Sequence, residues 1–524
     1  MPQEKNNSYD EVPYDSHAFR DSHPDVLGTM ANLFGMRPAP MNNCRVLELG
    51  CAAGGNLIPL AAQFPNSRFT GVDLSSVQIA EGEALVKTLK LKNVELLHQS
   101  ILDIENSEYD FIICHGVYSW VPDTVKEKIL AICGKQLAPQ GVAYVSYNTY
   151  PGWHFSGMIR EMMIYHTKHL TDLKDKVVQA RALLNFLAQS SSSASIYGRI
   201  LQDEASLLNL QRDSYLLHEH LEEGNHPLYF HKFVERAELH GLRYLGETAF
   251  SVMMPGNFST QVAETLKNIS NDVVRTEQYM DFLCNRRFRQ SLLCRKDVQL
   301  QRDVCAEDMT RFLIASCAKP VSSNTTTQGG DTNPEKFATP SGAAITPVHP
   351  LTNAAFHYLA QVWPQSVAFG ALMEAAAQRS GLPWSTDHAE SYRKVLSADM
   401  LTAFTAGIIE LQLTALNFVT AVSEKPLTSE LARIQASKNR TVTNQRHESI
   451  NLDNVNQYMI QHLDGEHDRQ ALLEKLLKQV SNGNLKASAQ DGKLVTDEPR
   501  LRALFSRAID TGLGNLAKSA LLIH

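Results

Sequence analysis

The stretch Val46-Leu47-Glu48-Leu49-Gly50-Cys51-Ala52-Ala53-Gly54-Gly55-Asn56 gathers residues suited to holding a charged small molecule. Glycine lets a backbone approach a ligand closely and take dihedrals that other residues avoid. Residues 57–64 read as a helix, whose first N–H groups are unpaired and favour an anion. The plain alternative is a tightly packed turn. A second acid, Asp73, ends the apolar segment Phe69-Thr70-Gly71-Val72. In a nucleotide-binding βαβ unit an acid at that place accepts hydrogen bonds from ribose hydroxyls. His115, Tyr118 and Trp120 follow another apolar segment, 109–114, and Asn148, Tyr150 and Trp153 follow the segment 141–147. In open α/β sheets ligands sit beyond the C-terminal strand ends, so both sets are expected on one rim. Aromatic faces there suit a cation. Plain packing is the competing reading for the two tryptophans, and a backbone-bonded turn for His115.

These side chains need a sheet to carry them. Strands are expected at 46–49, 69–73, 94–97, 109–114 and 141–147, with helices between most of them. The order β-α-β-α-β-β-α-β predicts an α/β fold, a Rossmann-like, mostly parallel sheet with helices on both faces. The sheet is expected to end near Tyr150-Pro151-Gly152-Trp153. The expected organisation is an N-terminal lid or helical segment (1–40), a cofactor-binding catalytic domain (41–155) and a helical or regulatory domain (156–318). A linker or mobile loop (319–350) is rich in Ser, Thr, Gly, Asn and Pro. A helical domain (351–435) follows it, and the last unit (450–524) is small, helical or winged-helix-like.

Composition narrows the class. A chain of 524 residues is too long for one core. Its 43% hydrophobic and 20% charged content is that of a globular protein, and a net charge of −7 without a dense Lys/Arg run argues against nucleic acid as the main partner. The eight cysteines are scattered, with neither C-x-x-C nor metal-ligand spacing, so no metal is expected and a reducing compartment is. No apolar stretch of eighteen residues occurs, and residues 1–20 are polar, so no membrane span is expected and the cytoplasm is the expected location.

The E-x-G-x-x-x-G-G arrangement of Glu48, Gly50, Gly54 and Gly55 resembles motif I of class I S-adenosylmethionine-dependent methyltransferases. The resemblance extends to Tyr9-Asp10-Glu11-Val12-Pro13-Tyr14-Asp15-Ser16, His115-Gly116-Val117-Tyr118-Ser119-Trp120-Val121-Pro122, Asn148-Thr149-Tyr150-Pro151-Gly152-Trp153 and Glu277-Gln278-Tyr279-Met280-Asp281-Phe282. Over roughly residues 8–300 the chain is similar to bacterial methyltransferases with a methyltransferase regulatory domain, a group that includes protein-lysine methyltransferases acting on outer-membrane proteins. The resemblance implies S-adenosyl-L-methionine held by Tyr14, Glu48, Gly50, Cys51, Ala52, Gly54, Asn56, Asp73, Leu74, Ser100, Ile101 and His115. It implies that His115, Tyr118, Trp120, Asn148, Tyr150 and Trp153 line the reacting side, with Tyr118 the first choice for the acceptor pocket. Tyr9 and Tyr14, which precede the first strand, are read either as a lid folded over the cofactor or as ordinary surface tyrosines. Ala52 and Ser100 depart from the pattern, replacing a frequent glycine and a frequent aspartate.

Three functions stay open: methylation of a protein, at lysine; methylation of a small molecule; and a cofactor-binding scaffold without catalysis. The first is preferred, because some three hundred residues beyond a catalytic domain suit a macromolecular substrate, bound by the helical and C-terminal domains. The turn after 109–114 lacks the Asn/Asp-Pro-Pro-Tyr of adenine- or glutamine-methylating enzymes, and no Pro-Cys nucleophile is present there. His218, His220 and His226 are weighed as metal ligands and read as exposed residues at a helix end. Arg286, Arg287 and Arg289 are weighed as binders of an acidic group and read as a solvated or salt-bridged helix face.

Overall fold

The computed structural model describes residues 16–222, 224–321, 335–487 and 494–524; Tyr9 and Tyr14, the candidate lid tyrosines, lie outside them. After helix α1 (Pro24–Leu33), β1 (Arg45–Leu49) runs into α2 (Leu57–Gln63), β2 (Arg68–Asp73) into α3 (Ser76–Thr88), and β3 (Val94–His98) is followed by β4 (Tyr109–Cys114), α4 (Asp123–Gln136) and β5 (Leu137–Asn148). β1 lies between β2 and β4, parallel to both, with Glu48 opposite Gly71 and Ile113. The C-terminal ends of β1, β2 and β4 therefore open on one edge, as apolar strands buried on both faces of a parallel sheet dictate.

The sheet does not end at residue 150. Its seven strands run β3-β2-β1-β4-β5-β7-β6, where β6 (Leu242–Glu247) and β7 (Phe288–Arg295) come from far downstream. β7 pairs antiparallel with both β5 and β6. The intervening helices α5 (Trp153–Thr167), α6 (Leu173–Ser190) and α7 (Ile196–Asn209) bury their own core around Met163, Ala180, Leu184 and Leu201. Because that insert is self-sufficient, the chain leaves at Asn148 and returns to the same edge, where Leu228 N–H donates to the Asn148 carbonyl at 3.2 Å.

The three arginines read as a solvated or salt-bridged helix face are salt-bridged, to Asp281, Glu204 and the acids around Arg289, but Arg289 is buried on a strand rather than set on a helix face. Arg289 lies within β7 and is 1% exposed. Its guanidinium donates to Asp281 (2.8 Å), Glu247 (2.8 Å) and Glu277 (3.0 Å) and lies 3.6 Å over the ring of Phe230. Asp281 and Glu277 belong to α9 (Val273–Cys284), and Phe230 opens α8 (Phe230–Leu239). Burial, before any other influence, pushes the Glu277 carboxyl up to about 7. Arg286 donates to Asp281 at 2.6 Å.

Two other expectations about organisation change. The region 351–435 has no separate core: Phe356, Leu372, Leu396 and Leu411 join the cluster that holds the sheet. The expected linker is structured at its two ends, where Lys319–Val321, Lys336–Ala338 and Ala344–Ile345 form a three-stranded antiparallel sheet. Phe337 anchors it, fully buried against Phe356 at 5.4 Å. The C-terminal unit has its own core, formed by Met459, Leu472, Leu476, Phe505 and Leu513. It comprises α10 (Glu430–Lys438), a two-stranded hairpin (Thr441–Thr443 with Ser449–Asn451), α11 (Asn454–Ile460), α12 (Arg469–Ser481) and α13 (Glu498–Lys518).

Removing one member of a buried ion network leaves uncompensated charge, at a cost of about 3 to 5 kcal/mol. Arg289→Ala is therefore expected to lower unfolding stability by about that amount in urea titrations, and a loss below about 1 kcal/mol contradicts the network's role.

Candidate active site

The C-terminal edge of the sheet opens into a cavity of about 720 Å³. Glu48, Gly50, Cys51 and Ala52 form its floor beside Asp73 and Leu74, with Ser100 and Ile101 alongside. The loop is held against β2 by Gly50 N–H and Cys51 N–H, both donating to the Val72 carbonyl, at 2.8 and 3.1 Å. Gly50 has φ +78°, and a Cβ there meets Val117 at 2.4 Å. Glycine is thus required on both conformational and steric grounds. Ala52 takes the left-handed region too, at φ +49°, a conformation that costs an L-residue roughly 1–2 kcal/mol. Its N–H donates to one oxygen of Asp73 at 2.8 Å, while Ser75 N–H donates to the other at 2.9 Å. Asp73 is thereby oriented by backbone, with further lone pairs left for ligand hydroxyls.

Glu48 sits beneath the loop, 3% exposed. Asn56 donates to its Oε1 at 2.9 Å, while Oε2 is buried with no hydrogen-bond partner among the described residues. Burial, reinforced by the neighbouring Asp73, pushes the Glu48 carboxyl up to about 8, against the pull of Asn56. An under-satisfied acid at the end of a glycine cradle fits a cationic amino-acid cofactor. The N-terminal segment crosses the same loop: Gly55 N–H donates to Ser16 Oγ at 2.8 Å, and Phe19 N–H to Asn56 Oδ1 at 3.0 Å.

His115 lines the cavity, its ring 3.9 Å from that of Phe19 and its Nδ1 2.7 Å from Tyr144 Oη. Burial pushes His115 down to about 4, so the ring is neutral at pH 7. Trp120, Asn148 and Trp153 also line the cavity. Helices of the insert supply the opposite wall with Glu204, Leu207, Leu208 and Gln211, and the segment after them adds Tyr215, Glu219 and His220. Arg287 lies there too, ion-paired with Glu204.

Comparison with known proteins matches three family descriptions to this geometry: "Methyltransferase domain" over residues 47–143, "Predicted methyltransferase regulatory domain" over 212–295, and "PKMT, C-terminal winged helix domain" over 424–521. PKMT2 from Rickettsia typhi, solved in complex with AdoHcy, is 33% identical with a TM-score of 0.88, covering 98% of this chain and 100% of that one. The uncharacterized protein RP789 of Rickettsia prowazekii is 38% identical over 97% of this chain and 93% of its own. The uncharacterized protein sll1526 of Synechocystis is 24% identical over 59% of this chain and 63% of its own.

The chain belongs to the PKMT-type methyltransferases. It is an S-adenosylmethionine-dependent enzyme. The matched regulatory domain includes β6 and β7, so that domain completes the catalytic sheet rather than standing apart.

Not all expected residues meet at the cavity. Tyr118 is fully buried below it, edge-on to Phe233 at 5.4 Å and to Tyr147 at 6.2 Å. The turn closed by Trp120 N–H on the Val117 carbonyl sends Tyr118 inward and Trp120 outward. Tyr150 stacks on His154 at 4.1 Å and is absent from the cavity lining. Gly54 supports the loop from behind, where a Cβ meets Leu96 at 3.0 Å, and Asn56 lines the cavity. Tyr14 lies outside the described residues. His218 and His220 are buried, not exposed, and burial pushes His220 down to about 4. Among the described residues no His/Cys/Asp/Glu group is arranged to hold a metal ion. The insert's wall gave no sequence signal, because its residues are dispersed along amphipathic helices.

A cofactor cation held by Glu48, as the residue pattern leads one to expect, would make binding sensitive to pH. A carboxyl pushed up to about 8 is mostly protonated at neutral pH, and a cation beside it favours its ionised form. Binding should therefore release a proton near pH 7, and affinity should rise with pH and level off above about 8. Calorimetry of S-adenosylhomocysteine in two buffers of different ionisation heat reads this proton directly; a flat pH profile contradicts it.

Proposed function

We propose that this methyltransferase transfers a methyl group to the side-chain amine of lysine in a protein substrate. The observation that carries the reading is the cavity lining, where Glu219 and Glu204, the latter ion-paired with Arg287, occur together with Trp120, Trp153 and Tyr215. Carboxylates and π faces attract a lysine ammonium, and the buried Leu208 adds apolar surface. Desolvation there favours loss of the proton, giving the neutral amine that attack requires. S-adenosylmethionine supplies an electrophilic methyl on a sulfonium. The chain's work is to aim the amine and exclude water.

His115, Trp120, Asn148 and Trp153 are the residues we assign to the reacting side. A histidine with its pKa pushed down to about 4 is a weak base, so we assign His115 a positioning role and let the lysine proton leave toward the carboxylates and solvent. The PKMT-type family membership supports a protein acceptor, and the helical insert and C-terminal unit supply the recognition surface that such an acceptor needs. Eight unpaired cysteines suit a reducing compartment, which supports action in the cytoplasm.

The test is incorporation of labelled methyl into a fractionated bacterial lysate, with the label located by mass spectrometry. Label on protein lysine is the expected result. Label confined to the small-molecule fraction contradicts the reading.

A further inference from the structure

The hairpin of the C-terminal unit reaches the cofactor loop. His447, at its tip, is completely buried, and its Nε2 lies 2.7 Å from Asn56 Oδ1, across 391 residues of sequence. Asn56 Nδ2 in turn donates to Glu48. An amide oxygen only accepts, so His447 donates from Nε2. The result is a continuous chain, His447 to Asn56 to Glu48, ending at the one acid beneath the glycine loop.

The tip is held firmly. His447 has φ +61°, a left-handed conformation that is costly for a residue other than glycine and that persists only where its surroundings impose it. Asn444 imposes it, its Oδ1 accepting from Arg446 N–H (2.9 Å) and Glu448 N–H (2.8 Å), while its Nδ2 donates to the Ser519 carbonyl at 2.9 Å. Arg446, 3% exposed, donates to Glu410 at 2.7 Å and lies over the Trp363 ring at 4.5 Å. Arg20 donates to the same Glu410 at 2.8 Å, which ties the hairpin to the N-terminal segment that crosses the loop.

We infer that His447 is a positioning residue for the methyl donor. Together with Phe19 N–H, which donates to the same oxygen at 3.0 Å, it fixes the Asn56 amide so that Asn56 donates to one Glu48 oxygen and leaves the other for the cofactor's cationic end. The C-terminal winged helix unit thus governs cofactor affinity as well as covering the fold, and its displacement weakens cofactor binding. The inference rests on the cofactor assignment and is independent of which acceptor is methylated.

A pair of variants isolates the donor. His447→Gln keeps an N–H donor, whereas His447→Met has similar volume and none. The loss of one buried donor is worth roughly tenfold in binding. Calorimetry with S-adenosylhomocysteine is expected to show about a tenfold weakening for His447→Met and near wild-type affinity for His447→Gln. KM for S-adenosylmethionine should rise in His447→Met, with kcat at saturation retained. Equal affinities of the two variants, whether both native or both weak, overturn the inference. Should His447→Met fail to fold, Glu410→Gln loosens the hairpin's anchor without touching the cavity. It is expected to weaken binding in the same direction, and a wild-type affinity there also overturns the inference.

Discussion

The structure depends on one buried acid that is never fully satisfied by the protein. Glu48 is the penultimate residue of a strand paired at both edges, and its side chain at the cavity floor is only 3% exposed. A buried carboxyl costs several kcal/mol to ionise, and its pKa rises accordingly. Asn56 satisfies one oxygen, and the second has no hydrogen-bond partner among the described residues. The glycine turn brings backbone close to the ligand, Asp73 flanks it, and the N-terminal segment and the C-terminal hairpin both hold Asn56 in place.

The same logic explains why the molecule is larger than its catalytic sheet. The regions matched as regulatory and winged helix domains are not appended modules. β6 and β7 supply two of seven strands, and His447 is bonded to Asn56, which donates to Glu48. The helical insert, by contrast, keeps its own core and contributes only a wall of the cavity. The cavity is thereby built from the sheet edge, the N-terminal segment and the insert, and the C-terminal hairpin reaches its lining at Asn56.

Much of this was legible in the residues, for identifiable reasons. β1, the glycine turn and Asp73 form one contiguous unit whose chemistry is local, and strand four and its exit turn are similarly compact. β6 and β7 escaped notice because a helical insert separates them from β5, and because Arg289 in β7 looks like a surface charge when burial is judged by residue type. Tyr118 was expected on the rim from its distance past a strand end, but a tight turn reverses its direction and leaves Trp120 at the cavity. His447 lies in a polar break between helices, where no local pattern distinguishes it; only the tertiary contact reveals its partner. The linker expectation failed at its edges because Phe337, one aromatic in a polar stretch, anchors a small sheet.

The central claim is that the Glu48 carboxyl is the electrostatic seat of the methyl donor, and Glu48→Gln tests it most directly. Glutamine keeps the size and the acceptor for Asn56 but has no charge and no proton to release. Calorimetry at pH 8 is predicted to show affinity for S-adenosylhomocysteine lowered at least about tenfold, the scale of one charge-assisted contact, with proton release abolished. An unchanged affinity with wild-type proton release would contradict the account.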